Sequence, residues 1–267
     1  MSKVDFETGE ILPPFDPLLK WELQNVARRF LPRGHRLAKC HRIKRQDSSI
    51  QVRVREEDRK AFYAGLQTCG LVWLCPVCAP KIQSYRAAEL ALAIDQAKKL
   101  GLLVELVTHT APHSRGDRLA DLEEKAGKAF RSMANGRPYR RLAEELGIVG
   151  TVSSGEVTWG ELNGWHPHRH SLRFRKPGPA IGSRHELAGH DLELFGLWRS
   201  AVERHGLGKA DVRGFSVEDG SKANEYVQKM ATEAVRFRWG TEDEMARSHT
   251  KKGRFGNLTP IDFLRMG

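Results

Sequence analysis

The stretch IVGTVSSGEVTWGELNGWHPHRHSLRF, residues 148–174, decides the fold of this chain. Residues 148–160 are rich in β-forming residues and end at the turn residues ELNG, and residues 165–174 read as a second strand. Two strands joined by so short a turn form an antiparallel hairpin. The stretch therefore favours an α+β domain with a mostly antiparallel sheet over a doubly wound parallel one.

Three histidines occupy alternate positions in the second strand: His166, His168 and His170. Alternate side chains of a strand share one face and lie about 7 Å apart, so two imidazoles can converge on one cation in a twisted sheet. Pro167 is expected to end regular strand pairing, which favours His168 and His170 as the ligand pair and leaves His166 as an accessory neighbour. A solvated, histidine-rich strand end is the alternative.

Glu156 lies in the first strand of the hairpin, where pairing brings it close to these histidines. Two imidazoles and one carboxylate leave coordination positions open. That set suits Mg²⁺ or Mn²⁺ when a phosphate completes the shell, and zinc or manganese in isolation. The alternative for Glu156 is an ordinary exposed strand carboxylate.

All four cysteines fall in one window: Cys40, Cys69, Cys75 and Cys78. The CPVC turn aims two sulfurs at one point, and two further thiolates complete the tetrahedron that Zn²⁺ prefers. His35 and His41 are alternative ligands for the position assigned to Cys40. A redox CxxC or unrelated buried cysteines are the alternatives, but a redox pair does not usually recruit two further cysteines. The sequence thus predicts a structural zinc module.

Periodicity predicts helices near 79–101, 117–135, 138–147 and 185–206, another helix from Ser221, and strands at 102–110 and 210–218. The LPPFDP segment disfavours regular structure over residues 1–30. We divide the chain into an N-terminal extension (1–30), the cysteine module (31–80), a core (81–235) and a C-terminal segment (236–267).

The chain carries 44 Lys and Arg against 33 Asp and Glu, for a net charge of +11. Such a charge suits a protein that binds a polyanion, although a generally basic surface is the alternative. RRFLPRGHR, CHRIKR and RFRK are stretches that could follow phosphates. No Walker-type loop supports ATP hydrolysis. The absence of a signal peptide or a long apolar run predicts a soluble, cytoplasmic protein without a membrane partner.

Four blocks together resemble the rolling-circle replication initiator (Rep) proteins of plasmids, in the HUH endonuclease superfamily. The blocks are VWLCPVCAPKI, ELVTHTAPH, GEVTWGELNGWHPHRHSLRF and EYVQKMATE, and they occur in the family's order over roughly residues 69–235. The resemblance implies an antiparallel sheet of about five strands flanked by helices. It implies His168, His170 and Glu156 as ligands of a catalytic Mg²⁺ or Mn²⁺.

The same resemblance implies Tyr226 as the nucleophile that nicks single-stranded origin DNA. The products are a 5′-phosphotyrosine, which is a covalent protein–DNA linkage, and a free 3′-hydroxyl primer. Lys229, three residues later on the predicted helix, could favour the phenolate or hold the phosphate. No second tyrosine neighbours Tyr226, so ending a replication round needs a second subunit or an activated water, for which Glu225 or Glu218 could serve as the base. Single-stranded and duplex plasmid origin DNA, a host helicase and a host polymerase are the implied partners.

Two positions depart from the family pattern. Arg169 replaces an apolar residue between the histidines, so it must be neutralised or face an open surface. Lys222 stands where some relatives carry a glutamate one turn before the tyrosine. These departures keep open a zinc-stabilised DNA-binding protein that does not cleave. A relaxase or transposase with the same chemistry is a further alternative.

Overall fold

The computed structural model describes residues 3–4, 11–12, 18–57, 59–72, 74–178, 187 and 189–220. The chain divides into two compact units with a boundary between Ile82 and Gln83. The division predicted from sequence differs in its boundaries and stays a prediction.

The first unit contains short antiparallel strands and two helices around the cysteines. Its elements are β1 (Lys3–Val4), β2 (Ile11–Leu12), α1 (Leu19–Arg29), α2 (Arg36–Lys39), β3 (Gln51–Val54) and β4 (Ala61–Ala64). The expectation that residues 1–30 lack regular structure is wrong for α1. This helix forms because Leu23, Gln24 and Ala27 share a buried face, and Ala27 packs on the cysteine cluster.

Residues 41–68 form an exposed ribbon that was not predicted from the sequence. Strands β3 and β4 pair within it, Lys44 bridges to Leu66, and the His41 N–H donates to the Gln67 carbonyl at its base. None of the described residues between 41 and 68 is buried. The ribbon therefore contributes backbone hydrogen bonds but no core side chain.

The second unit contains the larger sheet and most of the helical residues. Helix α3 (Cys78–Lys99) runs across the boundary, and β5 (Leu103–Thr110), α4 (Leu119–Ala134), α5 (Arg137–Glu145), β6 (Ile148–Gly160), β7 (Gly164–Arg175), α6 (His190–Arg204), a 3₁₀ turn (Val212–Gly214) and β8 (Phe215–Asp219) follow. The expected α+β class is confirmed. No helix among the described residues is both long and apolar enough to cross a membrane.

The sheet is antiparallel in the order β6-β7-β5-β8. Within the described part of the chain it has four strands, against about five expected. Helix α3 packs on one face through Leu90 and Ile94, which meet Leu172 and Phe174. Helices α4, α5 and α6 cover the opposite face. Strand β7 is thus a central strand with helices on both faces.

Pro167 does not end strand β7, contrary to expectation. In an antiparallel pair the N–H and C=O of one residue point to the same neighbour. The Pro167 carbonyl accepts from Ala111 N–H on the β5 side (3.3 Å), so the missing N–H faces β5 as well. Pairing with β5 stops at His168, whereas Pro167 still stands opposite Val157 of β6. The proline therefore interrupts the pairing of β7 with β5 but not its pairing with β6.

A buried ion cluster lies on the face covered by α4, α5 and α6. Glu105 of β5 pairs with Arg173 at 2.6 Å and with Arg175 at 2.5 Å, and all three side chains are buried. A lone buried guanidinium would be costly, so the carboxylate between two of them stabilises both. This cluster explains how β7 carries two arginines in the interior.

Candidate functional site

Glu156, His168 and His170 converge on one point of the sheet. The Nε2 atoms of His168 and His170 each lie 3.2 Å from Oε2 of Glu156. Glu156 and His170 are buried, and His168 is half-buried. The ligand atoms of the three side chains lie within 4.8 Å of one another. The structure therefore brings together the three residues that the sequence selected as ligands.

Strand register produces this convergence. Glu156 of β6 stands opposite His168 of β7, and His170 is two residues further along the same face. On β5, Thr108 stands opposite His170, and its hydroxyl lies 3.0 Å from Nδ1 of that ring. No role for Thr108 was predicted from the sequence, although it lies within the block ELVTHTAPH. The available signal was its place in the predicted strand, where Thr108 and Thr110 share one face and His109 points to the other.

The arrangement fits a divalent cation. Adjacent ligands on a cation with bonds of roughly 2.0–2.2 Å lie about 3 Å apart, close to the observed 3.2 Å. Both Nε2 atoms face the carboxylate, while Nδ1 of His170 contacts Thr108 on the other side of its ring. Such outer contacts fix the orientation of a ligating imidazole. Glu156, His168 and His170 would hold the cation.

His166 does not join this group. Its ring stacks on His113 at 4.6 Å between centroids, and its Nε2 atom is buried without a hydrogen-bond partner among the described residues. Burial, with smaller contributions from His168 and His113, lowers the pKa of His166 to about 4. His166 is therefore neutral at pH 7. His113 was not singled out from the sequence.

Arg169 faces the opposite side of the sheet, toward α4. Its guanidinium lies 4.8 Å from the centre of the Phe130 ring. Burial lowers the pKa of Arg169, and attraction to the Glu123 carboxylate opposes that shift. A cation over an aromatic face gains about 0.5–2 kcal/mol. Arg169, which departs from the family pattern, is therefore accommodated on the face of the sheet opposite His168 and His170.

His109, opposite Arg169 on β5, lies in an aromatic cage. Its ring meets Phe130, Trp198 and Phe215 edge to face at 5.2–5.5 Å. Both ring nitrogens are buried and have no hydrogen-bond partner among the described residues. Burial, with a smaller contribution from the Arg173 charge, lowers the pKa of His109 to about 3. This histidine is therefore a neutral core residue.

The four cysteines form a second group, in the first unit. Cys40 and Cys78 have their sulfurs 3.4 Å apart, Cys69 and Cys78 3.7 Å, and Cys75 and Cys40 3.8 Å. All four are buried and none forms a disulfide. Sulfurs around a tetrahedral zinc with bonds of about 2.3 Å lie roughly 3.8 Å apart. The cluster therefore suits a structural metal such as zinc.

The surroundings of the thiols also suit a cation. Backbone N–H groups of Cys69 and Cys78 donate to the sulfurs of Cys40 and Cys75 at 3.4 Å. Hydrogen bonds from Cys40 and Cys75 lower the pKa of the Cys78 thiol. The pKa of the Cys40 thiol is raised by its hydrogen bonds with Cys75 and Cys78 and by burial. Metal binding requires thiolates, so a divalent cation at this cluster would displace the thiol protons.

Neither competing histidine replaces Cys40 in the cluster. His35 caps α2, where its Nδ1 accepts from the Leu37 N–H at 3.3 Å. His41 packs edge to face on Trp21.

A third group of potential ligands comprises Glu145, His190 and Glu193. Arg141 lies 3.5 Å from the Glu145 carboxylate and 3.2 Å from that of Glu193. The Arg141 guanidinium thus lies between the two carboxylates, and the group is a surface cluster of ion pairs.

Tyr226, Lys229 and Glu225 lie outside the described residues, as does Lys222. Their roles remain predictions from the resemblance. Glu218 is described. It lies on β8 opposite Leu106, which puts it on the face that carries the histidines, and its Oε1 accepts from the Ser216 hydroxyl at 3.0 Å.

Comparison with known proteins gives distant similarity. The chain is 29% identical over 255 residues to Protein rep of Streptomyces lividans, covering 75% of this chain and 53% of that protein. It is 32% identical over 162 residues to a neomycin resistance protein of Streptomyces cyanogenus, covering 52% and 36%, and 29% identical over 133 residues to Protein rep of Lentilactobacillus hilgardii, covering 49% and 40%.

The chain thus spans about half the length, or less, of these relatives. No protein-family model and no solved structure matches it. The chain is distantly similar to two proteins named Protein rep.

Proposed function

We propose that this protein is a plasmid replication initiator that nicks and rejoins one strand of origin DNA with Tyr226 as nucleophile. The observation that carries the proposal is the convergence of His168 and His170 on the Glu156 carboxylate. Similarity to two proteins named Protein rep supports the biological role. The HUH endonuclease assignment rests on the sequence blocks and on the antiparallel sheet that carries both histidines on one strand.

The side chains have separate tasks in this proposal. Glu156, His168 and His170 hold Mg²⁺ or Mn²⁺, and Thr108 orients the His170 ring. When bound, the cation acts as a Lewis acid on the scissile phosphate and offsets charge developing there. Burial of Glu156 keeps competing water away from the carboxylate and strengthens its electrostatic interactions.

The Tyr226 oxygen forms a bond to phosphorus while the bond from phosphorus to the 3′ oxygen breaks. The 3′ oxygen takes up a proton and becomes the primer hydroxyl. The phosphoester is conserved in the tyrosine linkage, so the reverse attack can rejoin the strand. Lys229 stabilises the phenolate. Glu225 or Glu218 accepts the proton in the closing step.

Incubation of the full chain with Mn²⁺ and origin oligonucleotides labelled at the 3′ end tests this reaction. The parent should retain the label covalently, because the 5′ phosphate of the downstream fragment is joined to protein. Tyr226→Phe should form no adduct, whereas Tyr85→Phe, which changes an exposed tyrosine, should behave like the parent. Mass mapping of the DNA-linked peptide identifies the nucleophile.

Three outcomes would contradict the proposal. An adduct that survives Tyr226→Phe excludes this nucleophile. Metal-dependent cleavage that persists when His168 and His170 are both replaced by alanine excludes the proposed cation site. If the parent binds origin DNA but never cleaves it under any divalent ion, the DNA-binding alternative takes its place.

A further inference from the structure

The positive charge of this chain is concentrated in residues 18–82 of the first unit. These residues carry fourteen Lys and Arg and five Asp and Glu, which is a formal net charge of +9, whereas residues 1–17 carry −3 and the whole chain carries +11. Four thiolates on one Zn²⁺ would contribute −2 and leave a strongly basic unit. A protein whose positive charge served only solubility would have no reason to gather it in a quarter of its length.

A groove beside the end of α1 gathers part of this charge. It encloses about 590 Å³ and is lined by Asn25, Arg28, Arg29, Leu31, Arg33 and Ala38. Arg29 and Arg33 are exposed, and Arg28 is half-buried, with an Nε that has no hydrogen-bond partner among the described residues. None of these three arginines forms an ion pair with a described acidic residue. Their guanidinium groups are available to an anion.

The cysteine cluster holds the walls of the groove. Ala27 of α1 and Leu37 of α2 pack on the cysteines, and partly buried Leu31 packs against the same cluster. The Gln24 amide donates to the Cys40 carbonyl at 3.2 Å, and Arg42 donates to Asn25 Oδ1 at 2.7 Å. The spacing of the three arginines is therefore set by a core that a metal would tighten.

We propose that this groove binds the phosphate backbone of duplex DNA outside the nicked strand segment. Guanidinium groups match phosphate oxygens with two parallel N–H donors, and three of them lining one groove can contact several phosphates. No aromatic ring is among the described residues that line the groove, whereas binding of single strands relies on bases stacked on aromatic side chains. The inference goes beyond the proposed nicking reaction and shares with it only the choice of DNA as ligand.

Fluorescence anisotropy of the zinc-loaded full chain, without Mg²⁺ or Mn²⁺, tests the groove. The affinities for a 25-base-pair duplex and for the single strand of the same sequence are measured at several salt concentrations. In the triple variant Arg28→Ala, Arg29→Ala, Arg33→Ala the slope of log affinity against log salt should be shallower by about 0.9 for each phosphate that is no longer neutralised, or about 2.7 in total. Between 50 and 200 mM salt the parent should then lose about 40-fold more affinity than the variant.

The matched control removes the same charge from the second unit. Lys125→Ala, Lys128→Ala, Arg137→Ala changes exposed residues of α4 and α5 and should keep the parent slope. The charge-retaining variant Arg28→Lys, Arg29→Lys, Arg33→Lys should also keep most of the parent's salt dependence. Zinc content and circular dichroism verify folding. If the triple alanine variant loses zinc, Arg29→Ala, Arg33→Ala replaces it, with an expected slope change of about 1.8.

Three results would overturn the proposal: a parent-like slope in the groove variant, tighter groove-dependent binding of the single strand, or groove-dependent binding of a polyglutamate peptide as tight as that of the duplex. Nicking of single-stranded oligonucleotides is measured in parallel. It should be equal in the parent and the groove variant. If no chain nicks, the proposed reaction fails while the duplex affinities still decide the groove.

Discussion

Replacing Thr108 by valine removes one hydrogen bond and little volume. The Thr108 hydroxyl lies 3.0 Å from Nδ1 of His170, on the opposite side of the ring from Glu156. Valine keeps the branched shape that a strand favours. The change therefore leaves strand β5 intact and frees the His170 ring to rotate.

The expected magnitude follows from that single hydrogen bond. A neutral hydrogen bond contributes about 0.5–1.5 kcal/mol net, which corresponds to roughly 2- to 13-fold in a binding constant. Removal of an outer partner of a ligating imidazole costs roughly 10- to 100-fold in metal affinity. The two ranges overlap near tenfold. We therefore expect Mn²⁺ to bind Thr108→Val about tenfold more weakly than the parent.

Titration calorimetry of the full chain with Mn²⁺ measures the change. Thr110→Val is the matched control, because Thr110 stands opposite His168 on the same face without a hydrogen bond to it among the described residues. Since Thr108 acts through His170, saturating Mn²⁺ should restore the nicking rate of the variant. Parent-like affinity in Thr108→Val, or an equal decrease in Thr110→Val, would refute the reasoning.

Three further predictions concern the opposite face of the sheet. Arg169→Leu should leave Mn²⁺ affinity within about twofold of the parent, because the guanidinium faces Phe130; a tenfold decrease by calorimetry would contradict this. Glu105→Gln removes the carboxylate that lies between two buried guanidinium groups and should lower the free energy of unfolding by about 3–5 kcal/mol in urea titrations, where a change below about 1 kcal/mol would be inconsistent. His109 has a folded pKa of about 3, well below the unfolded value of about 6.5, so the unfolded state alone takes up its proton between these pH values. Stability should therefore fall as pH drops from about 6.5 toward 3, by up to about 1.4 kcal/mol per pH unit, and His109→Phe should flatten that dependence in urea unfolding followed over pH.

Much of the second unit follows from local patterns in the sequence. The hairpin of β6 and β7 was predictable because its strands are long, rich in β-forming residues and joined by only three residues, Glu161, Leu162 and Asn163. Gly164 takes a φ of +73°, and a side chain there would meet the backbone of Arg115 at 2.8 Å, so the turn needs glycine. Such features can be predicted from sequence because they depend only on residues that are close together in the chain.

Other features depend on contacts between distant residues. Helix α1 is stabilised by a cysteine cluster whose members lie up to position 78, which residues 1–30 do not reveal. The surroundings of Arg169 depend on Phe130 of α4, and the effect of Pro167 depends on which neighbour its carbonyl faces. Thr108 is positioned by the register between β5 and β7. Such pairings appear only when strands and helices are assembled.

The exposed ribbon gives this protein a replaceable cassette. Both of its ends are fixed, since Cys40 and Cys69 flank it and the Cys69 N–H donates to the Cys40 sulfur at 3.4 Å. No described side chain between them is buried, and beyond His41 and Arg42, which contact Trp21, Gln24 and Asn25 of α1, the metal-binding core does not depend on what the ribbon contains. Ribbons of other lengths and sequences could be grafted between Arg42 and Cys69. The same freedom would let evolution or an engineer give the first unit a new surface without redesigning its interior.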